Sequence, residues 1–354
     1  MRVVVLLGGE SEERDVSLAS GCQVADALRE AGHDVAALDP AAGALTREDE
    51  AKILAEGVGI LPAGTIMSAA APDHFVCTRF QDLSGASDGA MTAAAFAAAD
   101  VVFPALHGGM GEDGTLQALL DGRGITYTGS GMLGSGLAMN KDVTKRLLWD
   151  AGVSTPDWLV NPSADEAVER LGLPLIAKPV AGGSSVRLYL LDNAAQVEER
   201  IQLEAVGAAE SGEASDMMYE AFVDGREFTV GILGDEALPV GEIVSEHGLF
   251  DYECKYQPGM ADEVFPAEIP DALAQTLQER ALQVHRLLRL RDFSRVDFMV
   301  DGEGEAWCLE ANTLPGMTST SLLPKAARAA GMTFAELCDR IVRMAAERAG
   351  SASP

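Results

Sequence analysis

Residues Val3 to Leu7 are apolar without interruption and stop at Gly8-Gly9, after which apolar positions recur at helical spacing from Val16 to Glu30. An unbroken apolar run marks a strand buried on both faces. The change of period marks a helix, so the two predict a βα unit of a parallel sheet. Ala98 to Leu106 repeats the strand pattern and stops at His107-Gly108-Gly109, and Leu116 to Leu120 predicts a short helix before Gly122 and Gly124. Ligands of α/β sheets bind beyond the carboxyl ends of strands, so two Gly-rich strand ends predict one functional rim.

A second unit is predicted to begin near Gly129. Lys141 to Ala151 reads as a helix stopped by Gly152 and Pro156, and Leu175 to Val180 as a strand running into Ala181-Gly182-Gly183-Ser184-Ser185. Between Met217 and Val244, three alternating segments are separated by Asp224-Gly225 and Gly234-Asp235, which predicts an antiparallel meander. Asp271 to Leu290 is predicted helical. A hairpin is predicted from Phe293 to Val300 and Glu305 to Ala311, followed by amphipathic helix after Pro324 and a frayed end from Ser351. A chain of 354 residues exceeds one ordinary domain, so two or three units with clefts between them are expected.

Hydrophobic residues make up 47% and charged residues 23% of the chain, as in a folded globular protein. Lys and Arg number 26 against 55 Asp and Glu, a formal charge of -29 that repels nucleic acid and anionic membranes. An anionic ligand must therefore be held by a local group of cations. The five cysteines form no C-x-x-C pair, which argues against a disulfide framework or zinc site. With no leader-like segment and no apolar stretch of about 18 residues, membrane insertion is not expected and a cytoplasmic location is.

Chemistry concentrates in the Phe293 hairpin. If Val300 pairs with Glu305, Arg295 lies opposite Glu310 and Asp297 opposite Cys308, and alternation places Arg295, Asp297, Glu310 and Asn312 on one face. Two carboxylates and a carboxamide suit Mg²⁺, and the arginine could neutralise a developing oxyanion. The same residues also fit an exposed face with an ordinary Arg–Glu pair. Lys141, Lys178 and Lys255 stand at ends of elements, as phosphate ligands would, without a Walker A motif. Lys178 interrupts an apolar strand, which implies a buried anion or ligand phosphate, with a solvated edge lysine as the alternative. The Gly183-Ser184-Ser185 loop could offer backbone N–H groups to phosphate. Gly129-Ser130-Gly131-Met132-Leu133-Gly134 matches G-x-G-x-x-G, but Asp150 falls at a helix end, which disfavours a dinucleotide site.

Together these blocks resemble the D-alanine–D-alanine ligases of the ATP-grasp superfamily over nearly the whole chain. The resemblance rests on Gly8-Gly9 with Ser11 to Ser17, His107-Gly108 with Gly111 to Thr115, and Tyr127 to Gly131. It continues through Met139-Asn140-Lys141, Lys178-Pro179, Gly183-Ser184-Ser185, Asp251-Tyr252 with Lys255-Tyr256, Arg295-Val296-Asp297 and Glu310 to Ser319. It implies an α/β and α+β architecture, a three-domain ATP-grasp ligase with an N-terminal parallel-sheet domain. The units would be 1–128 for substrate, 129–220 as the central ATP-grasp subdomain and 221–354 as the catalytic subdomain.

The resemblance also implies roles. Glu13 would hold the first D-alanine's ammonium beside His107, and Ser184 and Tyr256 would hydrogen-bond toward Glu13 as a loop spanning Asp251 to Tyr256 closes. Lys141, Lys178 and Lys255 would hold ATP phosphates with Ser184 and Ser185, while Glu220, Ala221, Val223 and Glu227 would surround adenine and ribose. Arg295 and the Gly316 backbone would stabilise the oxyanion, and Asp297, Glu310 and Asn312 would hold two Mg²⁺ ions, or Mn²⁺. Ser321 and Leu322 would clamp the second carboxylate. The implied partners are two D-alanine molecules, ATP and a second copy of the chain, and the implied product is a dipeptide for peptidoglycan.

This sequence departs from the family pattern at Arg187, where a small residue is usual, at Asn140 before Lys141, at Thr320 between the paired serines, and at Leu249-Phe250. A D-alanine–D-lactate ligase, or an ATP-grasp ligase for another amino acid, is the alternative. Tyr256 favours the amine-accepting form.

Overall fold

A computed structural model describes residues 1–9, 11, 13–55, 96, 98–182, 187–211, 216–245 and 261–351. In the N-terminal unit, β1 (Arg2–Leu6), β2 (Asp34–Asp39), β3 (Gly43–Ala44) and β4 (Val101–Pro104) form a sheet in the order β3-β2-β1-β4. β1 runs parallel to β2 and β4, and β3 pairs antiparallel at the edge. Helix Arg14–Glu30 follows β1 and buries Leu18, Cys22, Ala25 and Leu28, as the change of period from strand to helix predicts.

In the central unit, β5 (Trp158–Val160), β6 (Leu175–Pro179), β7 (Tyr189–Leu191) and β8 (Met217–Ala221) form an antiparallel sheet in the order β5-β8-β6-β7. Helices Ala164–Leu171 and Ala194–Ser211 pack on it through Ala167, Val168, Val197 and Ile201. The expected meander is thereby corrected. Met217–Ala221 pairs with β5 and β6, so Asp224-Gly225 is not a hairpin turn but the crossing into the next sheet. Turn dipeptides are read locally, whereas the partner of a strand depends on which apolar face it must cover.

The C-terminal sheet comprises β9 (Gly225–Leu233), β10 (Glu236–Ala237), β11 (Gly241–Ser245), β12 (Ala261–Val264), β13 (Phe293–Asp301) and β14 (Ala306–Asn312). Its order is β12-β11-β9-β13-β14, with β10 on β9. Helix Asp271–Leu287 covers one face through Leu277, Ala281 and Val284, against Val230, Val296 and Phe298.

The hairpin register differs from the expectation in a way that matters chemically. Val300 pairs with Ala306 rather than Glu305, and Phe298 pairs with Cys308; a bulge then brings Asp297 opposite Glu310 and Arg295 opposite Asn312. Strict alternation would put Cys308 on the face of Glu310 and Asn312. The extra residue at the bulge reverses the phase, so Cys308 and Ala311 both turn into the core. The polar face holds the four predicted residues, reached by a different register.

After the hairpin, helices Leu322–Ala329 and Phe334–Ser351 return to the N-terminal unit. One core contains Leu7 and Phe103 together with Leu233, Leu314 and Ile341, and Phe103 stacks on Phe293 with centroids 6.1 Å apart. The N-terminal rim is thus held against the Phe293 hairpin by shared apolar burial.

Candidate active site

The rim begins where β1 leaves its ladder. Gly8 N–H donates to Ser17 Oγ at 2.8 Å, and that hydroxyl donates to Ala105 O at 2.6 Å, which ties both strand ends to the first turn of the helix. Glu13 is the N-cap residue of that helix but makes no side-chain cap hydrogen bond. Its carboxylate reaches the other strand end, because a Cβ built on Gly108 would lie 3.1 Å from Glu13 Oε2. His107 is buried with Nε2 3.2 Å from Ser20 Oγ, and burial pushes its pKa down to about 4 against an opposing backbone contact with Leu314. It is therefore neutral near pH 7.

Glu112 was not singled out from the sequence, although it stands in the Gly-rich block after β4. It accepts the Gly108 N–H at 2.9 Å, and burial followed by the charge of Glu13 pushes its carboxyl up to about 8, with Glu310 adding to the rise. Glu112, Lys141, Gly182, Glu310 and Asn312 line one cleft. Lys141 opens helix Lys141–Asp150 after Asn140, whose side chain accepts from Val143 N–H at 3.0 Å, and its Nζ donates to Gly182 O at 2.7 Å. Asn140 therefore caps this helix.

On the hairpin, Arg295 grips Asp297 through two nitrogens, Nε to Oδ1 at 2.9 Å and a terminal N–H to Oδ2 at 2.8 Å. Burial opposes the Arg295 charge, yet Asp297 and then Glu310 and Glu227 hold its pKa above the ordinary range. Asp297 also accepts from Thr229 Oγ1 at 2.7 Å and from Asn312 Nδ2 at 3.0 Å, and Asn312 Nδ2 lies 3.4 Å from Glu310 Oε1. One amide group thus sits between two carboxylates. This set fits Mg²⁺, which binds oxygen donors and completes its shell with phosphate and water. Among the described residues no three His, Cys, Asp or Glu side chains form a metal centre, so an ion here needs ligands beyond the two carboxylates and the carboxamide.

The buried-anion expectation for Lys178 is met by the protein itself. Lys178 Nζ lies 2.7 Å from Glu220 Oε2, and Lys145 pairs with the other oxygen of the same carboxylate. Lys145 also donates to Thr155 Oγ1 at 2.8 Å and lies 5.1 Å from the Trp158 ring centroid. Burial works against the Glu220 anion, and the two lysines outweigh it, so its pKa is lowered. Lys145 was missed because a lysine in a polar helical run reads as a solvated position. Its place one turn after Lys141 was the available signal.

Gly316 lies against Ser321 Oγ, and Ser321 precedes helix Leu322–Ala329 while holding Thr318 N–H at 3.2 Å and Thr318 Oγ1 at 2.7 Å. Ala221 and Val223 leave β8 half-buried, and Glu227 faces Met299 across β9 and β13. Gly134 of the G-x-G-x-x-G match is a packing glycine, since a Cβ there would lie 2.8 Å from Arg289 O. Ser184, Ser185, Asp251, Tyr252, Lys255 and Tyr256, like Leu249-Phe250, lie outside the described residues. Arg187 pairs with Glu204 on helix Ala194–Ser211. No helix among the described residues is long and apolar enough to cross a membrane.

Residues 2–130 match the family model described as D-ala D-ala ligase N-terminus, and residues 151–343 match D-ala D-ala ligase C-terminus. The chain is 40% identical to the D-alanine--D-alanine ligase of Aquifex aeolicus, over 97% of this chain and 100% of that protein. It is 38% identical to the ligase of the same name from Desulforudis audaxviator, over 98% of this chain and 99% of that protein. Its structure is similar to the Bacillus anthracis D-alanine--D-Alanine Ligase complexed with ATP, with a TM-score of 0.73 and 28% identity over 100% of this chain and 99% of that one. It is also similar to the VanG D-Ala:D-Ser Ligase of Enterococcus faecalis, with a TM-score of 0.75 and 27% identity over 97% and 98% of the two chains.

Proposed function

The chain belongs to the D-alanine–D-alanine ligase family, and from that premise we propose how its residues divide the work of joining two D-alanine molecules with ATP. A carboxylate is a poor electrophile. It must first attack the γ-phosphoryl group and become an acyl phosphate, a step of positioning and charge neutralisation. Glu13 holds the ammonium of the first D-alanine, and His107, neutral in its buried setting, contacts that substrate without adding a competing cation.

Lys141 and Lys178 neutralise the nucleotide's phosphates, while Glu220, Ala221, Val223 and Glu227 surround adenine and ribose. Asp297, Glu310 and Asn312 would hold Mg²⁺, as two ions or Mn²⁺ in their place, which would shield phosphate charge. Arg295, kept fully charged by its carboxylate neighbours, and the Gly316 N–H face the tetrahedral oxyanion formed as the second amine attacks. Ser321 and Leu322 hold the second carboxylate. Ser184, Ser185, Lys255 and Tyr256 complete the phosphate and substrate contacts and exclude the water that would hydrolyse the acyl phosphate.

The units 1–128, 129–220 and 221–354 serve as substrate, central and catalytic domains. The ligase works as a homodimer in the cytoplasm, supplying dipeptide for peptidoglycan. The observation that carries this reading is the convergence of Glu112, Lys141, Glu310 and Asn312 from all three units on one cleft. Phosphate release from ATP and Mg²⁺ is measured with D-alanine, L-alanine and D-lactate, singly and in pairs. Turnover requiring D-alanine supports it, and equal turnover with L-alanine refutes it.

A further inference from the structure

The first-substrate rim contains an ion pair, built on a buried carboxylate, that the reaction itself does not use. Asp39, at the end of β2 and 1% exposed, accepts the Gly9 N–H at 3.1 Å and the Ala41 N–H at 2.8 Å. Its remaining bonds come from the Arg14 guanidinium, which also donates to Gly9 O. Gly8 has φ +78°, and a Cβ there would lie 2.8 Å from both Arg14 and Asp39. The glycine turn therefore wraps directly over the pair.

Arg14 is the immediate neighbour of Glu13 in the first turn of helix Arg14–Glu30. A long flexible cation next to a carboxylate that must receive a substrate ammonium is a competitor for that carboxylate. We propose that Asp39 is a positioning residue of the first D-alanine subsite. It commits the Arg14 cation to the Gly8–Gly9 turn, which shapes the turn and keeps Arg14 from occupying the ammonium site at Glu13. This rests on the reading that Glu13 binds the ammonium.

A merely structural pair is damaged at least as much by Arg14→Gln, which strands the buried Asp39 carboxylate, as by Asp39→Asn, which leaves a guanidinium that is a quarter exposed to water. The positioning role instead predicts the reverse order. Asp39→Asn releases the cation and raises the KM for the first D-alanine about 10-fold or more, whereas Arg14→Gln removes the competitor and changes it less than about 3-fold. The double variant Arg14→Gln/Asp39→Asn returns toward the single Arg14→Gln value, although its thermal stability stays lowered. The KM for ATP, measured alongside, remains near that of the unmodified enzyme throughout.

Two-subsite saturation kinetics with D-alanine, thermal melts of each variant and a parallel Glu13→Gln variant make the test. An unchanged first-subsite KM in a folded Asp39→Asn variant overturns the proposal, as does a double variant no better than Asp39→Asn. If Asp39→Asn does not fold, Arg14→Gln decides: a KM rise as large as that of Glu13→Gln overturns the proposal and a small one upholds it. A Glu13→Gln variant with unaltered KM refutes the ammonium assignment itself, and the role of Asp39 with it.

Discussion

Replacing Glu220 by glutamine tests the charge arrangement that joins Lys145 and Lys178. Glu220 is 3% exposed, and the two ammonium groups it binds belong to Lys145 at 1% and Lys178 at 7% exposure. Removing one partner of a buried pair typically costs about 3–5 kcal/mol, because the other charge is left without compensation. Here two cations share the lost anion, one on each of its oxygens, and they repel each other once it is neutral. Deprotonation of one lysine caps the penalty. The variant is therefore expected to lose about 3–5 kcal/mol at pH 7 in urea unfolding followed by circular dichroism.

The pH dependence of that loss carries the sharper test. Without Glu220, burial holds both lysines below their unfolded pKa, so the folded state binds fewer protons than the unfolded state and stability rises with pH. The deficit should narrow between pH 7 and pH 10. A loss below about 1 kcal/mol, or one independent of pH, refutes the view that this carboxylate neutralises two buried cations.

Glu310→Ala should abolish Mg²⁺-dependent turnover while leaving the fold intact, Asp297→Ala should do so with a loss of stability because it strands the largely buried Arg295, and near-normal rates in either would end the metal assignment. Lys178→Ala should weaken ATP binding by calorimetry by about 10-fold or more, with unchanged affinity assigning Lys178 a purely structural role beside Glu220. The buried His285, 2.7 Å from Ser294 Oγ, has its pKa pushed down to about 4 by burial, so it binds a proton more readily when unfolded. Stability should therefore fall as pH drops from about 6.5 to about 4, and replacing His285 with glutamine should flatten that window in acid-unfolding curves.

Elements with a strong local period were legible from the chain alone. The βα unit at Val3 to Glu30, the helix from Lys141 and the Phe293 hairpin all follow from side-chain spacing within a few residues, which decides which face can be buried. The polar identity of Arg295, Asp297, Glu310 and Asn312 was equally visible, because charged groups interrupting apolar strands demand a reason. The pairing of these groups was not. The bulge between Asp297 and Phe298 reverses the phase of β14, and alternation in the sequence carries no sign of it. Met217–Ala221 likewise reads as part of a meander until its partners in the central sheet are known.

Long-range charge pairing belonged entirely to the tertiary structure. Lys145 meets Glu220 across 75 positions and Arg14 meets Asp39 across 25, separations over which composition says nothing of proximity. The chain determined by itself which residues must be buried or hydrated and where the backbone could turn, since those depend on local side-chain chemistry. Only the folded structure decided which buried charges share a partner and which rim faces which hairpin, since those depend on how distant strands meet and how the first and last sheets pack through common apolar surface.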